Sequence, residues 1–394
     1  MTPAARVQTA IELLDEIVAA ARDGGPAADT LIQRGFAARR YAGSGDRRAI
    51  RELIYAAIRR AGERPESGRA AMVGLAAEDP ALAALFDGSA RGPQPIAAGE
   101  ASAPAGIAPR WIADRLTRSL DADGLAALLD RAPVDLRVNR ARTTRERMLA
   151  EFSEAEPSPL SPDGLRLQPG AAAGIDRHPR TVDGSVEVQD EGSQIVAGAA
   201  RAGAGMLVVD LCAGAGGKSL AIAAATPDAR IVACDTDRAR LQRLPPRAER
   251  AGVTGIETRL LDPGRETERL DDLAGQADVV VVDAPCSGTG TWRRNPEARW
   301  RLTPARLEAL VTLQRRLIRI AAGLVRPGGA LVYITCSLLP EEGPDAVADF
   351  LAEHPGWRAE DPINGLGEPA GAGRRLQPAT HGTDGFFVAR LLRP

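Results

Sequence analysis

Val279-Val280-Val281-Val282-Asp283-Ala284-Pro285-Cys286 decides how this chain is read. An unbroken β-branched run closed by a proline marks a strand buried on both faces, the kind found in parallel sheets covered by helices. A second run of the same design, Ala330-Leu331-Val332-Tyr333-Ile334-Thr335-Cys336, also ends in cysteine, and Ser287 and Ser337 follow the two thiols. Thiols at the carboxyl ends of two buried parallel strands converge on the crevice where open α/β sheets bind ligands. The expectation is thiolate chemistry on a bound substrate.

Outward from these runs, strands are predicted at 206–211, 230–234, 256–260, 278–283, 330–335 and 386–391, with helices between them. Alternation of this kind from Val186 onwards predicts a doubly wound sheet. Pro245-Pro246 interrupts the helix expected after the second of these strands. Upstream, residues 1 to 90 read as helical, with helices near 6–21, 28–40 and Asp46–Arg60. In the third, Ser44 or Asp46 is the candidate cap, and Ile50, Leu53, Ile54, Ala57 and Ile58 recur at helical spacing. Gly, Pro, Ala and Ser dominate 88–109, which reads as a connector. A small α+β unit follows, with helices near 121–130 and 143–152 and strands at 135–139 and 164–167. The organisation expected is a helical domain 1–90, a linker 91–110, an α+β unit 111–180 and a doubly wound domain 181–394.

Bulk properties are those of a globular protein of two or three domains: 394 residues, 44% apolar and 26% charged. No run of eighteen apolar residues exists, and the N-terminal segment is an amphipathic acidic helix rather than a signal peptide, so no membrane association and a cytoplasmic location are expected. The spacing of Cys212, Cys234, Cys286 and Cys336 matches no zinc motif, so no metal is expected. Cys212 and Cys234 read as small buried packing residues. A monomer is expected.

Net charge is −2, but it is unevenly spread. Six arginines against two acids lie between Arg131 and Arg147, among them Arg137 and Arg140. Five against one lie between Arg293 and Arg306. Such patches suit phosphate contacts, or they are solvated arginine-rich faces. Thr291-Trp292-Arg293-Arg294-Asn295-Pro296 reads as an RNA-contacting loop, Arg293 and Arg294 for phosphate and Trp292 for a base, with a core-anchored Trp292 as the alternative. Of 50 basic residues only Lys218 is a lysine, and it stands in a glycine-rich loop.

That loop, Asp210-Leu211-Cys212-Ala213-Gly214-Ala215-Gly216-Gly217-Lys218-Ser219, follows a strand and opens a helix. A P-loop requires glycine where Cys212 stands, and a dinucleotide fingerprint requires a third glycine at a spacing absent here. The remaining reading is a methyl-donor site. The glycines bring backbone close to a ligand without phosphates, Asp210 takes a polar or charged group, and Asp235, after the next strand, can accept ribose hydroxyls. Asp262, after the third strand, either contacts an adenine or is a solvated loop residue.

With loop, acid and thiols in this order, the chain resembles the RsmB/Nop/Sun (Sun/Fmu) family of RNA cytosine-C5 methyltransferases. Leu136 to Val388 carry the likeness, above all Val188-Gln189-Asp190-Glu191-Gly192-Ser193-Gln194, the Gly-Gly-Lys loop, Asp283-Ala284-Pro285-Cys286-Ser287-Gly288-Thr289-Gly290, Thr335-Cys336-Ser337 and His381-Gly382-Thr383-Asp384-Gly385-Phe386-Phe387. Where many members have Pro and Thr in the loop, this chain has Ala215 and Ser219. The helices around Asp46-Arg47-Arg48-Ala49-Ile50-Arg51-Glu52-Leu53-Ile54-Tyr55 resemble a shortened NusB-like RNA-binding domain.

The resemblance implies an α/β fold: a doubly wound, mostly parallel Rossmann-like methyltransferase sheet with an N-terminal helical domain and a small α+β unit. It implies S-adenosylmethionine as cofactor, held by Asp210, Cys212, Ala213, Gly214, Gly216, Gly217, Lys218, Asp235, Asp262 and Asp283. RNA is the implied partner, with small-subunit rRNA the leading substrate and tRNA the other. In the implied chemistry Cys336 adds to C6 of cytosine, Cys286 helps resolve the adduct, Asp283 binds the N3/N4 edge and Lys218 holds the base or favours a thiolate. DNA cytosine methyltransferases use the Pro-Cys thiol instead, which would make Cys286 the nucleophile. A non-catalytic RNA-binding or ribosome-assembly factor on the same fold is the remaining alternative. His381 and Asp384 read as structural.

Overall fold

Among the described residues, 1–168, 172 and 174–394 of the computed structural model, thirteen strands form two sheets. The first comprises β1 (Val134–Val138), β2 (Ala155–Pro157), β3 (Gly164–Leu167) and β4 (Val186–Val188), all antiparallel in the order β2-β3-β1-β4. The second comprises β5 (Leu207–Asp210), β6 (Arg230–Asp235), β7 (Ile256–Leu260), β8 (Ala277–Asp283), β9 (Val325–Thr335), β10 (Arg358–Glu360), β11 (Glu368–Ala370), β12 (Gly373–Leu376) and β13 (Phe386–Leu392). Its order is β11-β12-β13-β9-β8-β5-β6-β7, with β10 paired to β13. β5 to β9 run parallel, and β13 is antiparallel to β9. This is the doubly wound sheet expected, and its topological switch point lies between β5 and β8.

The four valines at the centre of β8 show why that run reads as it does. Val280, Val281 and Val282 have no exposed surface and Val279 almost none, because helices cover both faces of the sheet. Burying each such side chain stabilises the fold by about 1.5–3 kcal/mol. The helix after β6 is split into Arg238–Leu241 and Leu244–Ala251, with Pro245 and Pro246 in the first turn of the second piece. Proline is accepted there because first-turn amides have no intrahelical acceptor.

By compactness the chain forms two units, Met1–Asp130 with Thr291–Pro304, and Arg131–Gly290 with Ala305–Pro394. The first is helical, led by Pro3–Asp23, Ala28–Ala38, Ser44–Arg60 and Gly68–Ala76, around a core that includes Leu13, Leu14, Ile17, Ile32, Ile50, Ile54, Ile58 and Met72. The cap of its third helix is Gly43, not Ser44 or Asp46; Asp46 lies in the first turn and its carboxylate accepts the Gly43 amide at 3.2 Å. The second unit contains both sheets. Val186–Val188, assigned from sequence to the doubly wound domain, pairs with β1 in the small sheet, Leu136 opposite Val188.

The segment Thr291–Pro304 departs most from expectation. Trp292 is fully buried, Arg293 is buried and Arg294 half-buried. Glu297 accepts the Ala28 amide at 3.0 Å at the start of one helix. Arg299, fully buried, donates to the carbonyls of Ile58, Arg59 and Ala61 at 2.6, 3.0 and 2.8 Å at the end of another. Arg301 donates to Ala20, Gly25 and Pro26 at the end of the first helix. Acid at a helix start and base at a helix end complement the backbone charges there. Arg293 keeps 6% of its surface exposed, and the core-anchored alternative describes Trp292.

Candidate active site

The pairing of β8 with β9 builds the site. Asp283 lies opposite Ile334, and the Ala284 amide bonds the Ile334 carbonyl at 2.9 Å, so both strands end at the same level. The chains continuing from them run side by side, and Cys286 Sγ comes to rest 3.3 Å from Cys336 Sγ. Gly290 closes the turn, its amide donating to the Cys336 carbonyl at 3.0 Å. A side chain at Gly290 would run into the backbone of Gly385, whose amide bonds the Gly290 carbonyl at 2.8 Å. The thiols are partly accessible, as reactive groups must be. Its hydrogen bond to Cys336, burial and the nearby Glu342 charge push the Cys286 thiol well above its ordinary range.

Lys218 and Asp283 stand beside the pair. Lys218 Nζ is 2.6 Å from Asp283 Oδ2 and 5.5 Å from the centroid of the Phe386 ring. Burial works against the ammonium, but the charges of Asp283, Cys336 and Asp210 outweigh it and raise the Lys218 pKa, so the side chain stays cationic.

The glycine-rich loop joins β5 to the helix Gly217–Ala225. Gly214 and Gly216 have φ of 55° and 82°, a conformation that L-residues with a side chain rarely adopt, which is why the loop carries glycine there. Asp235 ties the loop down. Its Oδ2 accepts the Gly214 amide at 2.7 Å and its Oδ1 accepts that of Asp237, also at 2.7 Å, leaving one lone pair on each oxygen for further donors. The Ala213 amide bonds the Cys234 carbonyl at 2.8 Å.

Asp210, at the end of β5, is fully buried. Ser219 donates to its Oδ2 at 2.6 Å, while Oδ1 is buried with no partner among the described residues. Burial, partly offset by the Ser219 hydrogen bond and reinforced by the Asp283 charge, pushes its pKa up to about 6. An unfilled buried acceptor beside a glycine cradle fits a small ligand that brings hydrogen-bond donors, as S-adenosylmethionine does.

The sequence-named residues thus divide. Asp210, Cys212, Ala213, Gly214, Gly216, Asp235, Asp283, Cys286 and Cys336 occupy the carboxyl ends of β5, β6, β8 and β9 or the turns leaving them, and Gly217 and Lys218 open the helix that follows β5. The Cys212 thiol is pushed well above its usual range by burial and by Asp210, Asp235 and Asp283, and burial raises that of Cys234 to about 12. Asp262 is exposed beyond β7 and faces Arg269 at 3.5 Å. Arg137 and Arg140 line a separate groove of about 370 Å³ with Ser161, Gln194 and Ile363, and neither thiol borders it. Arg137 is buried and donates to Gln189 at 2.6 Å, while Arg140 is paired with Asp163. Glu342, which contacts the residues next to both thiols, escaped the sequence reading, because nothing in Pro340-Glu341-Glu342-Gly343 signals burial. Among the described residues no cluster of His, Cys, Asp and Glu could hold a metal ion, and no helix is long and apolar enough to cross a membrane.

Residues 202–392 match the family model for 16S rRNA methyltransferase RsmB/F, and residues 108–173 match that of an RsmF/B-like methyltransferase ferredoxin-like domain. The ribosomal RNA small subunit methyltransferase B of Xylella fastidiosa (strain 9a5c) is 36% identical over 297 residues, covering 72% of this chain and 68% of the relative. Its namesake from Klebsiella pneumoniae is 35% identical over 292 residues, covering 72% and 66%. The match therefore spans about two-thirds of these curated relatives. NSun6 from Pyrococcus horikoshii, solved with SFG, shares the fold with a TM-score of 0.64 at 20% identity, over 72% of this chain and 98% of its own.

Proposed function

The chain belongs to the RsmB/Sun family of methyltransferases, with S-adenosylmethionine as methyl donor, and from that premise we propose that it methylates C5 of a cytosine in ribosomal RNA, small-subunit rRNA foremost. The observation that carries this reading is the pair of thiols 3.3 Å apart beside the Lys218–Asp283 ion pair. Cytosine C5 is a weak nucleophile, and C5 chemistry needs a covalent step that activates it.

Cys336 is the nucleophile. Its thiolate adds to C6 and makes C5 electron-rich. Asp283 hydrogen-bonds the N3/N4 edge of the base and orients it, while Lys218 holds Asp283 in place. S-adenosylmethionine, when bound, supplies an electrophilic methyl group. Asp210, the backbone from Cys212 to Gly217 and Asp235 are the groups that would hold it, with exposed Asp262 at the margin. Once C5 is methylated its proton passes to a solvent water, the C5–H electron pair re-forms the C5–C6 double bond, the C6–S bond breaks and the Cys336 thiolate is regenerated. Cys286, kept as a thiol at neutral pH, assists this release. The target base must be splayed out of its stack to reach the thiols. RNA binding outside the thiol site falls to the helical unit, read as NusB-like, and to the exposed Arg140 and half-buried Arg294, with Arg137 and Arg293, each 6% exposed, adding little surface.

The test is a denaturing gel of Cys286→Ser and Cys336→Ser after incubation with donor and unmodified small-subunit RNA. Cys286→Ser is expected to accumulate a protein–RNA adduct and Cys336→Ser none. The reverse pattern would make Cys286 the nucleophile. No methyl transfer by the wild-type protein to any cytosine-bearing RNA would refute the function and leave a non-catalytic assembly factor.

A further inference from the structure

Glu342 lies five residues beyond Ser337, in the short turn after β9, and has no exposed surface. Its carboxylate gathers four donors. Oε1 accepts the Ser287 amide at 2.8 Å and Gln314 Nε2 at 2.9 Å. Oε2 accepts the Ser337 hydroxyl at 2.6 Å and also that of Ser287. The two hydroxyls are 3.2 Å from each other, and Thr289 Oγ1 is 3.2 Å from Ser337 Oγ. Gln314 Nε2 donates its other hydrogen to the Pro285 carbonyl at 2.8 Å. Tyr333 Oη donates to the Glu342 carbonyl at 2.8 Å, fixing the turn to β9.

Ser287 and Ser337 are the residues directly after Cys286 and Cys336. One side chain therefore grips both thiol-bearing turns at equivalent points. It does so without a counter-charge, since no basic group pairs with Glu342 among the described residues. A buried carboxylate held only by neutral donors is costly, so its place in the fold asks for a reason beyond stability.

We infer that Glu342 is a positioning residue, which clamps Ser287 and Ser337 so that Cys286 and Cys336 stay within reach of one substrate base. This rests on the two-thiol mechanism proposed above. Ala at this position removes the clamp. Gln keeps it: the amide oxygen can accept the Ser287 amide and Gln314, while the amide nitrogen donates to the two hydroxyls. The clamp thus depends on hydrogen bonding that an amide reproduces, and charge is secondary to it.

Two readouts test this. The first needs no RNA. Diamide, an azo oxidant, takes two electrons and two protons from a pair of close thiols, leaving a disulfide and its own hydrazine form. With Cys212→Ser and Cys234→Ser in the background, wild-type enzyme is expected to form the Cys286–Cys336 bond rapidly. Glu342→Ala is expected to form it at least tenfold more slowly, and Glu342→Gln within about threefold of wild type. The second is methyl transfer to RNA, where Glu342→Ala is expected to lower kcat by about 100-fold with donor KM little changed, as misplacement of a reacting group by about 1 Å does. Glu342→Gln is expected to recover most of that loss. Wild-type disulfide formation and kcat in Glu342→Ala would overturn the inference, and so would equal losses in the Ala and Gln variants. Should Glu342→Ala not fold, Ser287→Ala and Ser337→Ala each cut one tether, and a wild-type disulfide rate in both would overturn it as well. If wild-type enzyme methylates no RNA but the disulfide rates follow the expected order, the proposed reaction fails while the clamp stands.

Discussion

Replacing Asp210 by Asn removes an ionisable group from the fully buried end of β5, and the consequence depends on pH. The native carboxyl has its pKa pushed up to about 6 from 3.8, by burial first. A difference of roughly 2 units at about 1.4 kcal/mol per unit is about 3 kcal/mol. The sign follows from proton counts. Between about pH 4 and 6 the native state holds this proton while the unfolded chain has lost it, so stability falls as pH rises through the folded-state pKa. Below about pH 4 both states are protonated and the penalty vanishes. Above about pH 6 the native protein carries it in full. Asp210→Asn keeps an oxygen for Ser219 and should gain up to about 3 kcal/mol at pH 7.5, with no gain at pH 4. Urea unfolding of both proteins at half-unit steps from pH 4 to 8 measures this, the difference at each pH cancelling every other titrating group. A stability difference that stays flat across that range would refute the reasoning. If the free Oδ1 accepts from the methyl donor, donor affinity of the wild type should climb through the same interval, and that climb should be absent in the variant.

Three further outcomes are expected. Cys286, Cys212 and Cys234 are all pushed above the usual thiol range, so brief alkylation with iodoacetamide at pH 8, read by peptide mass spectrometry, should label Cys336 first. Arg299→Met leaves the carbonyls of Ile58 and Arg59 without their donor, while that of Ala61 keeps Trp300 Nε1, and should cost the helical unit about 3 kcal/mol, seen as an earlier thermal transition. The reactivity of Cys336 should be unchanged in that variant. Gly290→Ala places a methyl against the backbone of Gly385 and should destabilise by about 2–4 kcal/mol while lowering methyl transfer, both measurable against wild type.

What the amino-acid order determined by itself is whatever depends on short stretches. β-branched apolar runs locate β5, β6, β8 and β9, and an apolar run led by two phenylalanines locates β13, because a buried strand tolerates little else. Gly214 and Gly216 mark a loop because few other residues adopt its backbone. Cysteine within three residues of the end of a buried strand places both thiols at the ligand-binding edge of the sheet. Tertiary structure decided whatever depends on partners far along the chain. The 3.3 Å between Cys286 and Cys336 comes from the register of β8 on β9, which a strand's own sequence does not state. Val186–Val188 joins the small sheet because β1 offers it an edge. The strands β10, β11 and β12 are short and mixed in polarity, and acquire their pairing only from β13 and one another. Trp292, Arg293 and Arg299 read as part of an RNA-facing patch in sequence, yet they are buried, and Arg299 serves a helix end that needs donors. Glu342 looks like any acidic turn residue until four donors from three parts of the chain close around it. Local propensity is written into neighbouring residues. Burial and hydrogen-bond satisfaction are properties of the folded whole, and they decided which charged side chains became surface and which became framework.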